Sequence, residues 1–167
     1  MKIALIFLGI IVLASVSEVG PFSRDSRTQD QNALVSSSKI SDSNISSISL
    51  ATSTIQAPNG TISAMIADTD VLRQHGLSDR PSMPPDVGML FIFPEIGTQS
   101  FWMKDMHFSL DIVWIDEHKQ VVGIAENVSP DSYPEAFTSP VPIKYVLELN
   151  AGKAADFGLK KGSQLGF

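Results

Sequence analysis

The chain has 167 residues, no cysteine and a formal net charge of −6 at pH 7, from 18 acidic and 12 basic residues. Without cysteine, disulfides and a lipid-modified cysteine are excluded. Residues 61–167 contain 14 acidic and 8 basic residues, whereas residues 1–60 contain 4 of each. Because an acidic domain without a basic cluster repels phosphate backbones and anionic lipid heads, we expect no nucleic-acid partner.

A short apolar run occupies the N-terminus. Lys2 precedes the uncharged stretch Ile3 to Val16, which matches the core of a signal peptide and falls short of the roughly 20 residues of a membrane-spanning helix. We expect residues 1–17 to export the protein to the periplasm, the cell envelope or the outside. Ser15 and Ser17 fit a cleavage site, and the alternative is an uncleaved anchor that would be the protein's contact with a membrane.

The composition changes after this segment. Residues 18–50 are rich in serine and poor in large apolar side chains, so they bury too little apolar surface to offset the entropy of ordering the backbone. We expect a flexible tether there, and the alternative is an extra edge strand through Ile45 and Ile48. Residues 51–167 are long enough to form one domain with a single core.

This domain is predicted to be mostly β, beginning with a hairpin. Asn59-Gly60 is a strong hairpin turn signal. It lies between the strand patterns of residues 53–57 and 61–67, the second of which alternates apolar and other residues. A short helix is expected over residues 69–75, because Gly76 can end it.

Further short strands are expected along the second half of the domain. The apolar run that begins at Gly88 should stop at Pro94, and residues 116–119 have the composition of a hairpin loop. The expected strands cover residues 88–93, 100–106, 110–115, 121–128 and 145–149, and a second short helix covers residues 151–157. Many short strands spaced about 8–12 residues apart favour a compact sandwich or barrel over an open parallel sheet.

Five blocks of sequence carry a resemblance to a known family. They are RQHGLSDR from Arg73, GMLFIFPE from Gly88, SFWMKDM from Ser100, LDIVWID from Leu110 and YVLELNAGKAADFGLKKGS from Tyr145. In order and spacing, they resemble the DUF192 family, also called UPF0127, over about residues 63–167. The resemblance implies a compact, mostly-β domain of jelly-roll-like type with short helices, often exported, and it leaves the chemistry open.

The chain departs from the family pattern at several positions. Asp105-Met106 stands where the family typically has Asn-Thr, and Ser109 stands where a proline often precedes Leu-Asp. Asp105 replaces a neutral donor and acceptor with a charged acceptor. A ligand inferred for other members therefore does not transfer directly to this chain.

Five residues form the candidate binding site: Arg80, Trp102, Lys104, Asp105 and Asp111. On a strand, Trp102 and Lys104 share one face, so Trp102 could stack on a ligand while Lys104 holds an anion. Alternatively, Trp102 belongs to the core and Lys104 extends to water. Asp105 and Asp111 suit acid–base work or a hard metal ion. Equally, they cap a turn or pair with Lys104 or Arg80.

The sequence lacks patterns for catalysis, metals and cofactors. His75, His107 and His118 do not have a ligand spacing, and neither a Gly-x-Ser-x-Gly elbow nor a glycine-rich phosphate loop occurs. We therefore expect no catalytic residue, metal or cofactor. The favoured function is a small exported module that binds a small molecule or peptide. The alternatives are a hydrolase of envelope material with Asp105 and Asp111 as paired acids, and a non-catalytic structural or interaction domain.

Overall fold

The computed structural model of the protein describes residues 50–167, so the predicted signal segment and nearly all of the predicted tether lie outside the described residues. The strands are β1 (Thr52–Ala57), β2 (Gly60–Ala67), β3 (Val87–Gly97), β4 (Ser100–Phe101), β5 (Leu110–Ile115), β6 (Val121–Val128), β7 (Phe137–Thr138) and β8 (Ile143–Asn150). The helices are α1 (Asp70–His75), α2 (Lys153–Asp156) and a 3-10 helix at Pro130–Ser132. Within this described part, no helix is long and apolar enough to cross a membrane.

Six of the strands form one mixed sheet in the order β1-β2-β3-β8-β5-β6. Neighbouring strands are antiparallel except β2 and β3, which run parallel and are connected through α1. β4 and β7 form a separate two-stranded ribbon. The mostly-β class with two short helices, predicted from the sequence, is confirmed, and the six-stranded sheet itself stays open.

Most element boundaries differ from the predictions by one or two residues, as at β8, which covers Ile143–Asn150 instead of residues 145–149, and the differences at β3, β4 and α2 are informative. β3 continues through Pro94 to Gly97, with a register shift after Ile92, because a proline that lies in a bulged stretch breaks no regular ladder bond. The predicted strand over residues 100–106 is wrong beyond Phe101, since Asp105 has a left-handed backbone with φ 56° and an extended strand cannot pass through it. The second helix, expected over residues 151–157, begins only at Lys153.

Both faces of the sheet are buried under other parts of the chain. One face joins side chains from the strands, α2 and the C-terminal segment, namely Ile55, Ile62, Leu90, Val113, Leu147, Ala154, Leu159 and Leu165. The opposite face packs against side chains from the connecting loops, and its cluster includes Leu77, Met83, Met89, Phe91, Met103, Ile112, Trp114 and Val146. Every residue of β5 is buried as a result, which is typical of a strand covered on both sides.

The C-terminal segment, residues 162–166, connects the two edge regions of the sheet. Gln56 of β1 pairs with Gly166, and Gln120, just before β6, pairs with Gln164. The N–H of Gln56 donates to the Gly166 carbonyl at 2.8 Å, and the N–H of Gly166 donates back at 3.1 Å. This segment therefore bridges the two edge regions of the open sheet, and the loops cover the face opposite α2.

Candidate functional site

A cleft of about 600 Å³ opens on the loop-covered face of the sheet. Small-molecule sites in proteins have volumes of roughly 300–1,000 Å³, so the cleft has the size of a ligand site. It is lined by α1 and the residues that follow it (Asp70, Arg73, Gln74, His75, Gly76, Leu77, Ser78, Asp79), by strand residues (Phe91, Phe93, Ser100, Phe101, Glu148) and by Gln99, Trp102, Lys104, Asp105 and Met106.

Two loops meet at the edge of the cleft and hold each other in place. The N–H of Asp79 donates to the carbonyl of Asp105 at 2.9 Å, and the Ser78 hydroxyl donates to the carbonyl of Lys104 at 3.1 Å. The second loop is a tight turn in which the N–H of Met106 donates to the Met103 carbonyl at 3.4 Å. Two of these three bonds join backbone groups and the third uses the Ser78 hydroxyl, so the shape of the cleft edge depends mainly on the backbone.

The central strand β8 contributes Glu148 to the cleft. This residue lies between Met89 of β3 and Ile112 of β5 and is only 5% exposed. Its Oε2 atom is buried and has no hydrogen-bond partner within the described residues. Burial raises the pKa of the Glu148 carboxyl from 4.5 to about 8, because removal from water penalises the charged form. The group is therefore mostly protonated at neutral pH.

Three phenylalanine rings that contact one another are among the residues that line the cleft, and we call them the phenylalanine wall: Phe91, which is buried, Phe93 and Phe101. The ring centroids of Phe91 and Phe101 lie 4.9 Å apart with an interplanar angle of 89°, and those of Phe93 and Phe101 lie 6.4 Å apart at 81°. Such edge-to-face contacts hold rings in fixed orientations. The wall is consequently a rigid apolar surface next to a buried carboxyl group.

The cations that line the cleft differ in how firmly they are held. The Arg73 guanidinium lies 5.6 Å from the centre of the Phe93 ring, donates to the Ile92 carbonyl at 2.7 Å and forms an ion pair with Asp70. Lys104 Nζ lies 3.8 Å from a carboxylate oxygen of Asp105, and both side chains are more than half exposed. Exposed pairs of this kind contribute only about 0–1 kcal/mol, so Lys104 is held less firmly than Arg73.

Three of the five residues predicted for the site line this cleft together: Trp102, Lys104 and Asp105. Trp102 is 58% exposed, and its ring stands edge-to-face to Tyr133 with centroids 6.2 Å apart. The exposed position fits the interpretation of Trp102 as a ligand contact. The alternative interpretation, that Trp102 belongs to the core, does not fit this exposure; the buried tryptophan is Trp114, which is 3% exposed.

Asp111 and Arg80, the other two predicted residues, are not among the residues that line the cleft. Asp111 is 1% exposed, and its two carboxylate oxygens accept hydrogen bonds of 2.9 Å from the N–H groups of Asn127 and Ala154. Arg80 is partly buried, and its Nε has no partner within the described part of the chain. With Asp111 occupied by backbone amides, the structure gives no support to paired-acid chemistry between Asp105 and Asp111.

Sequence reasoning missed Glu148. The residue is the one acidic side chain in the otherwise apolar run Tyr145 to Leu149, and strand alternation by itself would place such a residue on a solvent-facing side. The single acid in this apolar run indicates a buried carboxyl group only once β8 is known to be a central strand that is covered on both faces.

The fold and the cleft define a class of protein: a small, mostly-β domain with a ligand-sized cleft on the loop-covered face of an open mixed sheet. The sequence profile of DUF192, described as "Uncharacterized ACR", matches residues 51–167. Because this match spans most of the chain, the protein belongs to the DUF192 family.

Two crystal structures are similar to this chain. A protein from Sinorhizobium meliloti 1021, provisionally described as a transcription regulator, has 33% sequence identity and a TM-score of 0.68, with 71% of this chain and 95% of that chain covered. A protein of unknown function from Novosphingobium aromaticivorans DSM 12444 has 27% identity and a TM-score of 0.64, with 71% and 85% covered. Comparison with curated proteins gave no significant match.

Proposed function

We propose that this domain is a binding module that takes a small molecule or a peptide into the 600 Å³ cleft. The observation that carries the proposal is the buried, unpartnered Oε2 atom of Glu148, a residue that lines the cleft. Buried polar atoms in native proteins are nearly always hydrogen-bonded. A ligand that supplies the missing partner accounts for a carboxyl group kept in an apolar strand.

The edge of the cleft supports the same proposal. Trp102 exposes more than half of its surface there, and a large aromatic side chain next to a concave site is typical of a ligand contact. Lys104 and Asp105 add one charge of each sign to the same edge. Together these side chains offer one flat aromatic ring and two charged groups, and a small-molecule site usually combines apolar and polar groups in this way.

The provisional description of the Sinorhizobium protein as a transcription regulator finds no support in the charge of this domain. Residues 61–167 hold 14 acidic and 8 basic residues, whereas DNA-binding domains present basic surfaces to the phosphate backbone. The acidic balance therefore favours ligand binding over contact with DNA for the described domain.

The binding proposal is tested by a fragment screen on the isotope-labelled protein, read from amide chemical shifts. We expect at least one class of fragment to shift the amides of Ser78, Phe101 and Glu148. Trp102→Ala and Lys104→Met should weaken that binding, while Lys161→Met, an exposed lysine that does not line the cleft, serves as the matched control. A screen in which no fragment shifts the cleft amides would contradict the proposal.

We also propose that the protein acts in the cell envelope or outside the cell, on the strength of the uncharged run from Ile3 to Val16 after Lys2. Deletion of residues 3–16 should then retain the protein in the cytoplasm, as measured by cell fractionation. Deletion of residues 20–33, a segment of the same length in the predicted tether, is the control and should leave export intact. Equal distribution of both variants would contradict this part of the proposal.

A further inference from the structure

We infer that the ligand of the cleft carries an organic cation, a primary ammonium or a guanidinium group, which pairs with Glu148 against the phenylalanine wall. This inference rests on the proposed function and names the chemical class of its ligand. Its basis is the charge of the cleft, the position of the Glu148 carboxyl and the aromatic surface next to it.

The cleft has more carboxyl groups than cations to pair with them. Its acidic lining residues are Asp70, Asp79, Asp105 and Glu148, and its permanent cations are Arg73 and Lys104. Arg73 is paired with Asp70, and Lys104 lies next to Asp105. Among the described residues, the ion pairs leave Asp79 and Glu148 without a cation. An incoming positive charge would reduce this excess of carboxyl groups, and an incoming anion would add to the negative charge.

The groups packed around Glu148 do not supply this cation. In the sheet, Glu148 pairs with Met89 of β3 on one side and with Ile112 of β5 on the other, and both of these side chains are apolar. The charged or titratable groups facing the cleft from other elements are Asp70, Arg73 and His75 of α1, Asp79 of the following loop, and Lys104 and Asp105 of the turn. Arg80, whose Nε is also without a partner, forms no ion pair with Glu148 within the described part of the chain.

The phenylalanine wall favours the same ligand class. Aromatic faces attract ammonium and guanidinium groups within about 6 Å of the ring centre. The cleft already shows such a contact, because the Arg73 guanidinium lies 5.6 Å from the centre of the Phe93 ring. Glu148 and the phenylalanine wall line the same cleft, so a cation in the cleft has a carboxyl group and aromatic rings available as partners.

The protonation of Glu148 makes the affinity of the cleft for a cation depend on pH. The free carboxyl has a pKa of about 8, so a bound cation must displace its proton and stabilise the carboxylate. Affinity for a cation should therefore increase with pH up to about 8 and then level off. Between pH 6 and pH 8 we expect an increase on the order of 10–100-fold, from the larger ionised fraction. A neutral or anionic ligand would instead accept a hydrogen bond from the protonated Glu148 carboxyl. Its affinity would therefore decrease between pH 6 and pH 8.

The test uses three probes of matched shape: 2-phenylethylamine, 2-phenylethanol and 3-phenylpropionate. Each is titrated into the isotope-labelled protein at pH 6, 7 and 8, and binding is read from the amide shifts of Gly76, Phe101 and Glu148. We expect the amine to bind most tightly, with the pH dependence given above. Glu148→Gln keeps the shape of the side chain and removes its charge, so it should weaken amine binding at pH 8 and abolish the pH dependence.

The results separate this inference from the proposed function. Tighter binding of the alcohol or the carboxylate would overturn the cation class and leave a binding module in place. Amine binding that is independent of pH, or unchanged in Glu148→Gln, would overturn the role of Glu148. If none of the three probes shifts the cleft amides, the inference is overturned as well. The proposed function fails only if the whole fragment screen also leaves those amides unshifted.

Discussion

The backbone N–H of Asp79 donates a 2.9 Å hydrogen bond to the carbonyl of Asp105, and both residues have left-handed backbone conformations, with φ 63° and φ 56°. This conformation disfavours most residues with a Cβ by roughly 1–2 kcal/mol, and Asn and Asp tolerate it best. The bond therefore joins the two loops at the residue in each loop that has a positive φ angle. It explains why a residue of the Asn/Asp type suits position 105, where the family pattern has Asn.

Substitution of Asp105 tests this backbone requirement. Asp105→Asn should leave the free energy of unfolding nearly unchanged, because Asn adopts positive φ readily. Asp105→Val should lower it by about 1–2 kcal/mol, since a β-branched residue is strained there. Urea denaturation measures both, and Asp86→Val, at an exposed position without positive φ, is the control. Equal stability of Asp105→Val and the wild type would contradict the explanation.

Asp111 should behave as a structural residue. Its carboxylate accepts hydrogen bonds from the N–H groups of Asn127 and Ala154, whereas an asparagine offers one oxygen and turns an NH₂ group towards the second donor. Asp111→Asn should therefore lower the free energy of unfolding by about 1–3 kcal/mol, the usual effect of leaving a buried donor unpaired. Urea denaturation measures the loss.

A binding role for Asp111 predicts a different pattern. The folded Asp111→Asn protein, kept well below its denaturation midpoint, should bind any ligand of the cleft as the wild type does. Lost binding at unchanged stability would contradict the structural role.

Local patterns predicted the parts of the fold that local chemistry determines. The Asn59-Gly60 signal gave the hairpin between β1 and β2, in which Ala57 pairs with Gly60. The predicted helix over residues 69–75 matches α1 within a residue. The strand predicted over residues 100–106 ends at Phe101, and the left-handed backbone of Asp105 belongs to the turn that follows. The order of the strands and the parallel pairing of β2 with β3 depend on contacts between distant segments, which periodicity does not specify.

The candidate site was predictable only where its residues are neighbours in sequence. Trp102, Lys104 and Asp105 belong to one turn, so a single motif identified all three. Glu148 reaches the cleft because β8 is the central strand between β3 and β5. A strand's place in a sheet follows from tertiary pairing, and for that reason the sequence pattern did not distinguish Glu148 from a solvent-facing acid.

The two tryptophans should respond oppositely to truncation. Trp102→Ala should change the free energy of unfolding by less than about 1 kcal/mol, as is usual for exposed positions. Trp114→Ala removes a side chain that is 3% exposed and contacts the Phe101 ring at 5.6 Å between centroids, so it should lower stability by about 3–5 kcal/mol. Thermal and urea melting of both variants measure the contrast. A large loss for Trp102→Ala would place that residue in the core instead.

The buried carboxyl of Glu148 should make stability depend on pH in a defined direction. Its pKa is about 8 in the folded protein against 4.5 for the exposed group, so between these values the folded state holds a proton that the unfolded state has lost. The free energy of unfolding should therefore decrease as pH increases from about 5 to 8, by up to about 1.4 kcal/mol per pH unit from this group. Above pH 8 both states are ionised, and the contribution levels off.

Glu148→Gln isolates this contribution from the other titrating groups. The variant keeps a neutral side chain at every pH, so its stability relative to the wild type should increase from pH 5 to pH 8 and then remain constant. Glu126→Gln, at an exposed position, is the matched control, and its difference from the wild type should stay small throughout. Urea denaturation at pH 5, 6, 7, 8 and 9 measures all three proteins. A constant difference between Glu148→Gln and the wild type would show that the carboxyl is ionised at neutral pH, which would require a cationic partner within the folded chain.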